Sequence, residues 1–96
     1  MEILYKSRKL ERICTDFSEA LRQHGKEMAT IIHQRVKELC AADSTDTMIR
    51  FGIGRCHPLK HDRDGEFALD LRHPYRLIFK PDGITTVRIL EIVDYH

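Results

Sequence analysis

The sequence predicts a single α+β domain over residues 1–96, in which a small antiparallel sheet packs against two or three N-terminal helices. Three observations carry this. Apolar residues recur at helical spacing through the first half. After Gly52, Gly54 and Pro58 the period changes from helical to two. The alternating runs of the second half are divided by a turn signal, Pro81-Asp-Gly83.

Taken in order, Ile3-Leu-Tyr5 is a short strand that joins the sheet, and Ser7 caps the helix that follows. Leu10, Ile13, Cys14, Phe17 and Leu21 form the apolar stripe of that segment. Asp16 and Glu19 resemble a capping box, so a break into two helices is expected near Thr15, with Gly25 closing the second. The next helix runs from about Lys26 to Ala41, with Met28, Ile31, Ile32, Val36, Leu39 and Cys40 on its buried face and Gln34, Arg35 and Lys37 opposite. Asp43 or Ser44 caps a short helix holding Met48, Ile49 and Phe51. In the second half Phe67, Leu69 and Leu71 alternate with Ala68, Asp70 and Arg72. Tyr75, Leu77 and Phe79 alternate with Arg76, Ile78 and Lys80, which makes Tyr75 and Phe79 core residues. A terminal strand with Val87, Ile89, Leu90, Ile92 and Val93 completes a three-strand meander.

The chain is charge-rich but its net charge is only +1, which is no footprint for non-specific nucleic-acid binding; any RNA contact must come from local clustering. Cys14, Cys40 and Cys56 are widely spaced without a C-x-x-C pair, and Cys14 and Cys40 fall on apolar helical stripes. The N-terminus lacks the apolar run of a signal peptide and no stretch reaches transmembrane length, so a cytoplasmic protein without membrane contact is expected.

The chemistry concentrates in two places. The final residues, Glu91-Ile-Val-Asp-Tyr-His96, end a strand in an acid, a phenol and an imidazole, all competent in proton transfer or hydrogen bonding. Upstream lie His57-Pro-Leu-Lys-His-Asp-Arg-Asp-Gly65 and then Arg72, His73 and Arg76. Metal-free RNA cleavage by the ribose 2′-hydroxyl needs a base, an acid for the leaving 5′-oxygen, and cations on the phosphorane oxygens. Arg72 and Arg76 offer planar forks for phosphate, on one face if the strand is straight, with Pro74 leaving that open. Lys60 offers a point charge in a loop, and His57, His61, His73 and His96 are candidate proton carriers. Tyr95 is placed to stack a base or donate to phosphate. His33, beside an apolar helix face, reads as structural, and His24 as a cation near a helix C-terminus. His57 and His61 have i,i+4 spacing, but Pro58 argues against a helix there, and no metal or other cofactor is expected.

These residues resemble a known family. His57-Pro-Leu-Lys60, Asp62-Arg-x-Gly65, Tyr75-Arg76-x-x-Phe79 and the terminal Asp94-Tyr-His96 are similar to motifs of the RelE/ParE superfamily of toxins, in particular the HigB-type killer proteins of bacterial type II toxin–antitoxin pairs. The resemblance implies a RelE-like fold and a ribosome-dependent endoribonuclease that cuts translated mRNA. It implies partners too: the ribosome with its mRNA, and a cognate helix-turn-helix antitoxin of the HigA type, with which a heterotetramer is possible. By position, Lys60, Arg72 and Arg76 match the basic active-site residues and His96 the terminal catalytic histidine, as base or acid, with Tyr95 and Asp94 beside it. The expected RNA contacts are Lys60, Arg63, Arg72, His73 and Arg76. The alternative within the superfamily is a non-catalytic, ParE-like toxin that blocks a protein target such as DNA gyrase.

Overall fold

A computed structural model describes residues 1–94. The element order is β1 (Glu2–Tyr5), α1 (Arg8–Thr15), α2 (Phe17–His24), α3 (Lys26–Ala41), α4 (Thr45–Arg50), β2 (His57–Pro58), β3 (Phe67–Asp70), β4 (Tyr75–Pro81) and β5 (Thr86–Asp94), with 3-10 turns at Ile53–Arg55 and His61–Arg63. The five strands form one sheet in the order β1-β5-β4-β3-β2.

The helix boundaries follow local chemistry. The Ser7 hydroxyl accepts from the Leu10 amide at 3.1 Å and opens α1. Asp16 closes α1 and caps α2, its carboxylate accepting from the Ser18 amide at 3.0 Å. Gly25, at φ +81°, joins α2 to α3 in a conformation only glycine adopts cheaply. Ser44, rather than Asp43, caps α4 through the Thr47 amide. The Met1 ammonium donates to the carbonyls of Leu39, Cys40 and Ala42, groups that the end of α3 leaves without helical partners.

Several expectations from the sequence are corrected. The sheet is mixed: β2, β3, β4 and β5 pair antiparallel, but β1 runs parallel to β5, with Ile3 opposite Val87. After the helical layer the chain re-enters at the far edge of the sheet as β2, and three antiparallel steps through β3 and β4 leave β5 running in the direction of β1. β3 ends at Asp70, although Leu71 beyond it remains buried. Phe17 and Leu21 are 43% and 42% exposed, because the break at Asp16 takes α2 out of phase with the α1 stripe; Ala20 takes the buried position. Phe17 stands edge-on to His33, whose Nε2 lies 2.9 Å from the Ile13 carbonyl, the structural role expected of that histidine. Glu19 does not reach back to Asp16; Arg22, Gln23 and Arg12 hold it instead. Hydrogen bonds from Arg22 and Gln23 keep its carboxyl below the usual range. Ile49, Phe51 and Tyr75 are exposed, the last because it opens β4 at the cleft beside the start of α3. Cys40 is exposed, because the last turn of α3 buries Leu39 and turns its neighbour outward.

The helices cover one face of the sheet. Leu10, Ile13, Met28, Ile32, Val36, Leu39 and Met48 meet Leu69, Leu77, Phe79, Val87 and Ile89 in the main core. Phe79 is fully buried, stacked on Phe67 with ring centroids 5.7 Å apart. The opposite face holds a smaller cluster of Leu59, Ala68 and Ile78, flanked by Leu90 and Val93, with no helical residue in it among the described residues. A bulge in β5 makes this division. Phe79 faces Ile89 and Ile78 faces Glu91, so Leu90 is the extra residue between them. The inward positions are therefore Val87, Ile89 and Ile92, while Leu90, Glu91 and Val93 face outward.

Truncating Phe79→Ala should destabilise the domain by about 3–5 kcal/mol, whereas Ile84→Ala should stay within about 0.5 kcal/mol. Urea unfolding midpoints check both. Ile84 is 94% exposed at a hairpin tip, so equal effects would mean that the core is misplaced.

Burial pushes the thiols of Cys14 and Cys56 up to about 12 and about 11, leaving both protonated and inert. A thiol reagent at neutral pH should modify Cys40 promptly and the other two only in denaturant, as counted by mass spectrometry.

Candidate active site on the outer face of the sheet

The outer face is built by three adjacent strands. In β3, alternation turns Ala68 and Asp70 outward while Leu69 is buried in the main core. Ala68 lies opposite Ile78 and Asp70 opposite Arg76. Across the other edge of β4, Arg76 faces Val93 and Ile78 faces Glu91. A short apolar floor of Leu59, Ala68, Ile78 and Val93 is thus bordered by charged side chains from both neighbours of β4.

At one border lies a chain of ionic contacts around Asp70. Arg55 Nε donates to Asp70 Oδ2 at 2.7 Å, and Arg76 Nε stands 3.5 Å from Asp70 Oδ1. The Asp70 main-chain carbonyl accepts from Arg35 Nε at 2.7 Å, and the same guanidinium bonds Glu38. Arg35 passes beneath Gly54, where an added Cβ would sit 2.9 Å from its Cδ and Nε, so glycine is required there by space as well as by φ +61°. His57 is on β2 opposite Ala68, its Nδ1 2.8 Å from the Arg55 carbonyl.

At the other border, Arg63 is held between two carboxylates. Its Nε donates to Glu66 at 2.7 Å and its Nη2 to Glu91 at 2.7 Å. Hydrogen bonds to Glu91, then to Glu66, push its pKa further up and keep the charge fixed. Arg63 therefore ties the segment after Lys60 to β5. Lys60 itself is exposed and precedes the 3-10 turn, and the Leu59 amide closes the loop onto the Glu66 carbonyl at 2.8 Å.

Arg72 and Arg76 have different surroundings. The chain leaves β3 at Asp70, turns through the cis peptide His73-Pro74 and enters β4 at Tyr75. Arg72, in this turn, forms an ion pair with Glu27 in the first turn of α3. His73 and Tyr75 line the same cleft, a cavity of about 370 Å³ between the turn and the start of α3. The single straight strand that would align the two arginines is absent. His24 lines this cleft too; burial, and then the charge of Lys9, push its pKa down, which favours the neutral ring over the cation expected at that helix end.

The terminal motif is described as far as Asp94. That residue is exposed and lies opposite Tyr75, one step from the Arg76–Val93 pair. It shares the helix-side face with Tyr75 and Ile92, while Arg76 and Val93 share the outer one. Tyr95 and His96 lie outside the described residues. Among the described residues no three histidine, cysteine or acidic side chains gather as a metal-binding group, and no helix is long and apolar enough to cross a membrane.

Sequence reasoning missed Arg55, Asp70 and the Glu66–Glu91 pair. Asp70 had a signal, because it is the outward acid of an alternating strand that leads into a turn. Arg55 had none, since its contact depends on the path of an irregular segment.

Comparison with known proteins gives a fold and no family by sequence: no family model and no curated protein matches the chain. Among solved structures, the chain is similar to a YoeB/ParE toxin from Agrobacterium tumefaciens, with a TM-score of 0.67 and 14% identity over 100% of both chains. It is also similar to the YoeB-YefM complex from Staphylococcus aureus, at TM-score 0.66 and 22% identity, covering 100% of this chain and 97% of that one. A heterotetrameric YoeB-YefM toxin–antitoxin complex from the same organism gives a TM-score of 0.65 at 22% identity, with the same coverage. The helices and the five-stranded sheet are those of the RelE/YoeB-like toxin fold.

Proposed function

We propose that this protein is the toxin of a type II toxin–antitoxin pair, a HigB-type, ribosome-dependent endoribonuclease of the cytoplasm. The observation that carries the reading is the register of β4 and β5. β5 brings Val93 and Asp94, the residues that precede Tyr95 and His96 in the sequence, opposite Arg76 and Tyr75, at the start of the strand bearing the phosphate-binding candidate. Proton-transfer groups and a phosphate fork belong together in 2′-hydroxyl attack on the adjacent phosphate.

In this mechanism Arg76 stabilises charge on the phosphorane oxygens, with Lys60 and Arg72 gripping the same phosphate. His96 transfers the proton, as base or acid. Tyr95 orients or stacks a nucleotide, and Asp94 positions its neighbours. Direct RNA contact falls to Lys60, Arg72, His73 and Arg76. Arg63, already engaged by two carboxylates, holds the Lys60 loop. The cognate antitoxin is of the helix-turn-helix, HigA-like type, and the assembly a heterotetramer, the kind of assembly named for the similar YoeB-YefM complex.

A second reading keeps one observation in its favour. Arg63, Arg72 and Arg76 each face a carboxylate of the same chain, which lowers the cationic field available to RNA. A non-catalytic toxin that blocks a protein such as DNA gyrase needs no such field.

Mapping mRNA 5′ ends before and after induction, with and without an initiation block, separates the two. Translation-dependent new ends are expected. Growth arrest with unchanged ends would remove the nuclease reading and leave the protein-blocking one. In the same assay Arg76→Ala should keep ribosome association and lower cleavage roughly 100-fold, about 3 kcal/mol of transition-state stabilisation.

A further inference from the structure

We propose that Asp70 is the positioning residue for Arg76, presenting its guanidinium to the scissile phosphate. The inference rests on the reading of Arg76 given above. Asp70 and Arg76 are direct cross-strand partners, so both side chains leave the same face of the sheet. The two carboxylate oxygens of Asp70 are used differently. Oδ2 accepts from Arg55 at 2.7 Å. Oδ1 is buried without a hydrogen bond and lies 3.5 Å from Arg76 Nε. A buried, unbonded carboxylate oxygen is costly unless a cation compensates it. Here the compensating cation is Arg76, held by charge at a distance just beyond an ordinary hydrogen bond. A guanidinium has two forked donor edges, Nε with one Nη and Nη1 with Nη2, and a carboxylate held beside Nε fixes the orientation of the plane that carries both.

Asp70 has to be immobile to do this, and the fold fixes it from three sides. Its backbone is in the β3–β4 ladder, its carbonyl is bonded by Arg35 from α3, and its carboxylate is bonded by Arg55. The segment Gly52–Arg55 is shaped for the last contact: Gly52, Gly54 and Arg55 all have positive φ, at +63°, +61° and +53°. A non-glycine residue in that region is strained, so Arg55 adopts it only because the surroundings demand it.

The test is Asp70→Asn, which keeps the shape and the oxygen that accepts from Arg55 but removes the charge facing Arg76. Two measurements are made on the full chain. The first is the arginine Nε–Hε NMR spectrum, with Arg88, paired to Asp82, as the internal control. The second is the cleavage rate on translating ribosomes, in the wild-type and Arg76→Ala backgrounds. The expected result is a moved Arg76 resonance, an unmoved Arg88 resonance and a cleavage rate lowered roughly tenfold at unchanged KM. In the Arg76→Ala background Asp70→Asn should cost nothing further, because the two side chains act as a unit. An unmoved Arg76 resonance overturns the proposal, as does an equal loss in both backgrounds, which would mark Asp70 as merely structural. If the wild type cleaves no RNA, the nuclease reading fails while the resonance still reports whether Asp70 places Arg76. Should Asp70→Asn not fold, Arg55→Gln loosens the same carboxylate and is judged by the same two measurements.

Discussion

The extra residue Leu90 in β5 is the constraint on which the sheet depends. A regular strand running on from Val87 and Ile89 would turn Glu91 into the helix-covered core and Ile92 out of it. The carboxylate of Glu91 would then be buried among aliphatic side chains without a partner, a cost of several kcal/mol. The bulge opposite Ile78 and Phe79 reverses the phase. Ile92 continues the core, while Glu91 faces outward to Arg63 and Val93 to the outer cluster. The far end of β5 therefore serves two faces. It seals the core on one side and anchors the Lys60 loop on the other.

The charges of the outer face are managed rather than massed. Arg63 lies between Glu66 and Glu91, and Arg55 and Arg76 flank Asp70. Across the chain 16 Lys and Arg stand against 15 Asp and Glu, which leaves a net charge of only +1. Each pairing lowers the long-range pull on a polyanion but fixes a guanidinium in direction. For chemistry on a single phosphate, direction counts for more than total field, since pre-set donors need no reorganisation as charge develops.

The helices were legible because their signals are local. Ser7, Asp16, Gly25 and Ser44 act on amides within a few residues, and the bounds of α3 agree with its apolar period. The β4–β5 hairpin was legible for the same reason, from Pro81-Asp-Gly83 and the alternation on either side. Burial was less so. Phe17, Leu21 and Tyr75 are apolar or aromatic at plausible core positions and remain exposed, because the break at Asp16 turns the first two away from the core and Tyr75, though on the helix side, stands at the cleft beside the start of α3.

For the site, the sequence alone determined the kinds of group and their order: Lys60 in a loop, Arg72 and Arg76 about a proline, and Asp94-Tyr-His96 after a strand. Those follow from residue chemistry and local pattern, which are properties of short stretches. Only the tertiary structure decided that Arg72 turns to Glu27 while Arg76 faces Asp70, and that Arg63 is bound by Glu91, 28 residues away. It also decided that β1 lies parallel to β5. Such partners are chosen by strand register and by the helical layer closing on the sheet, so they depend on contacts between residues far apart in the chain, which no local periodicity records.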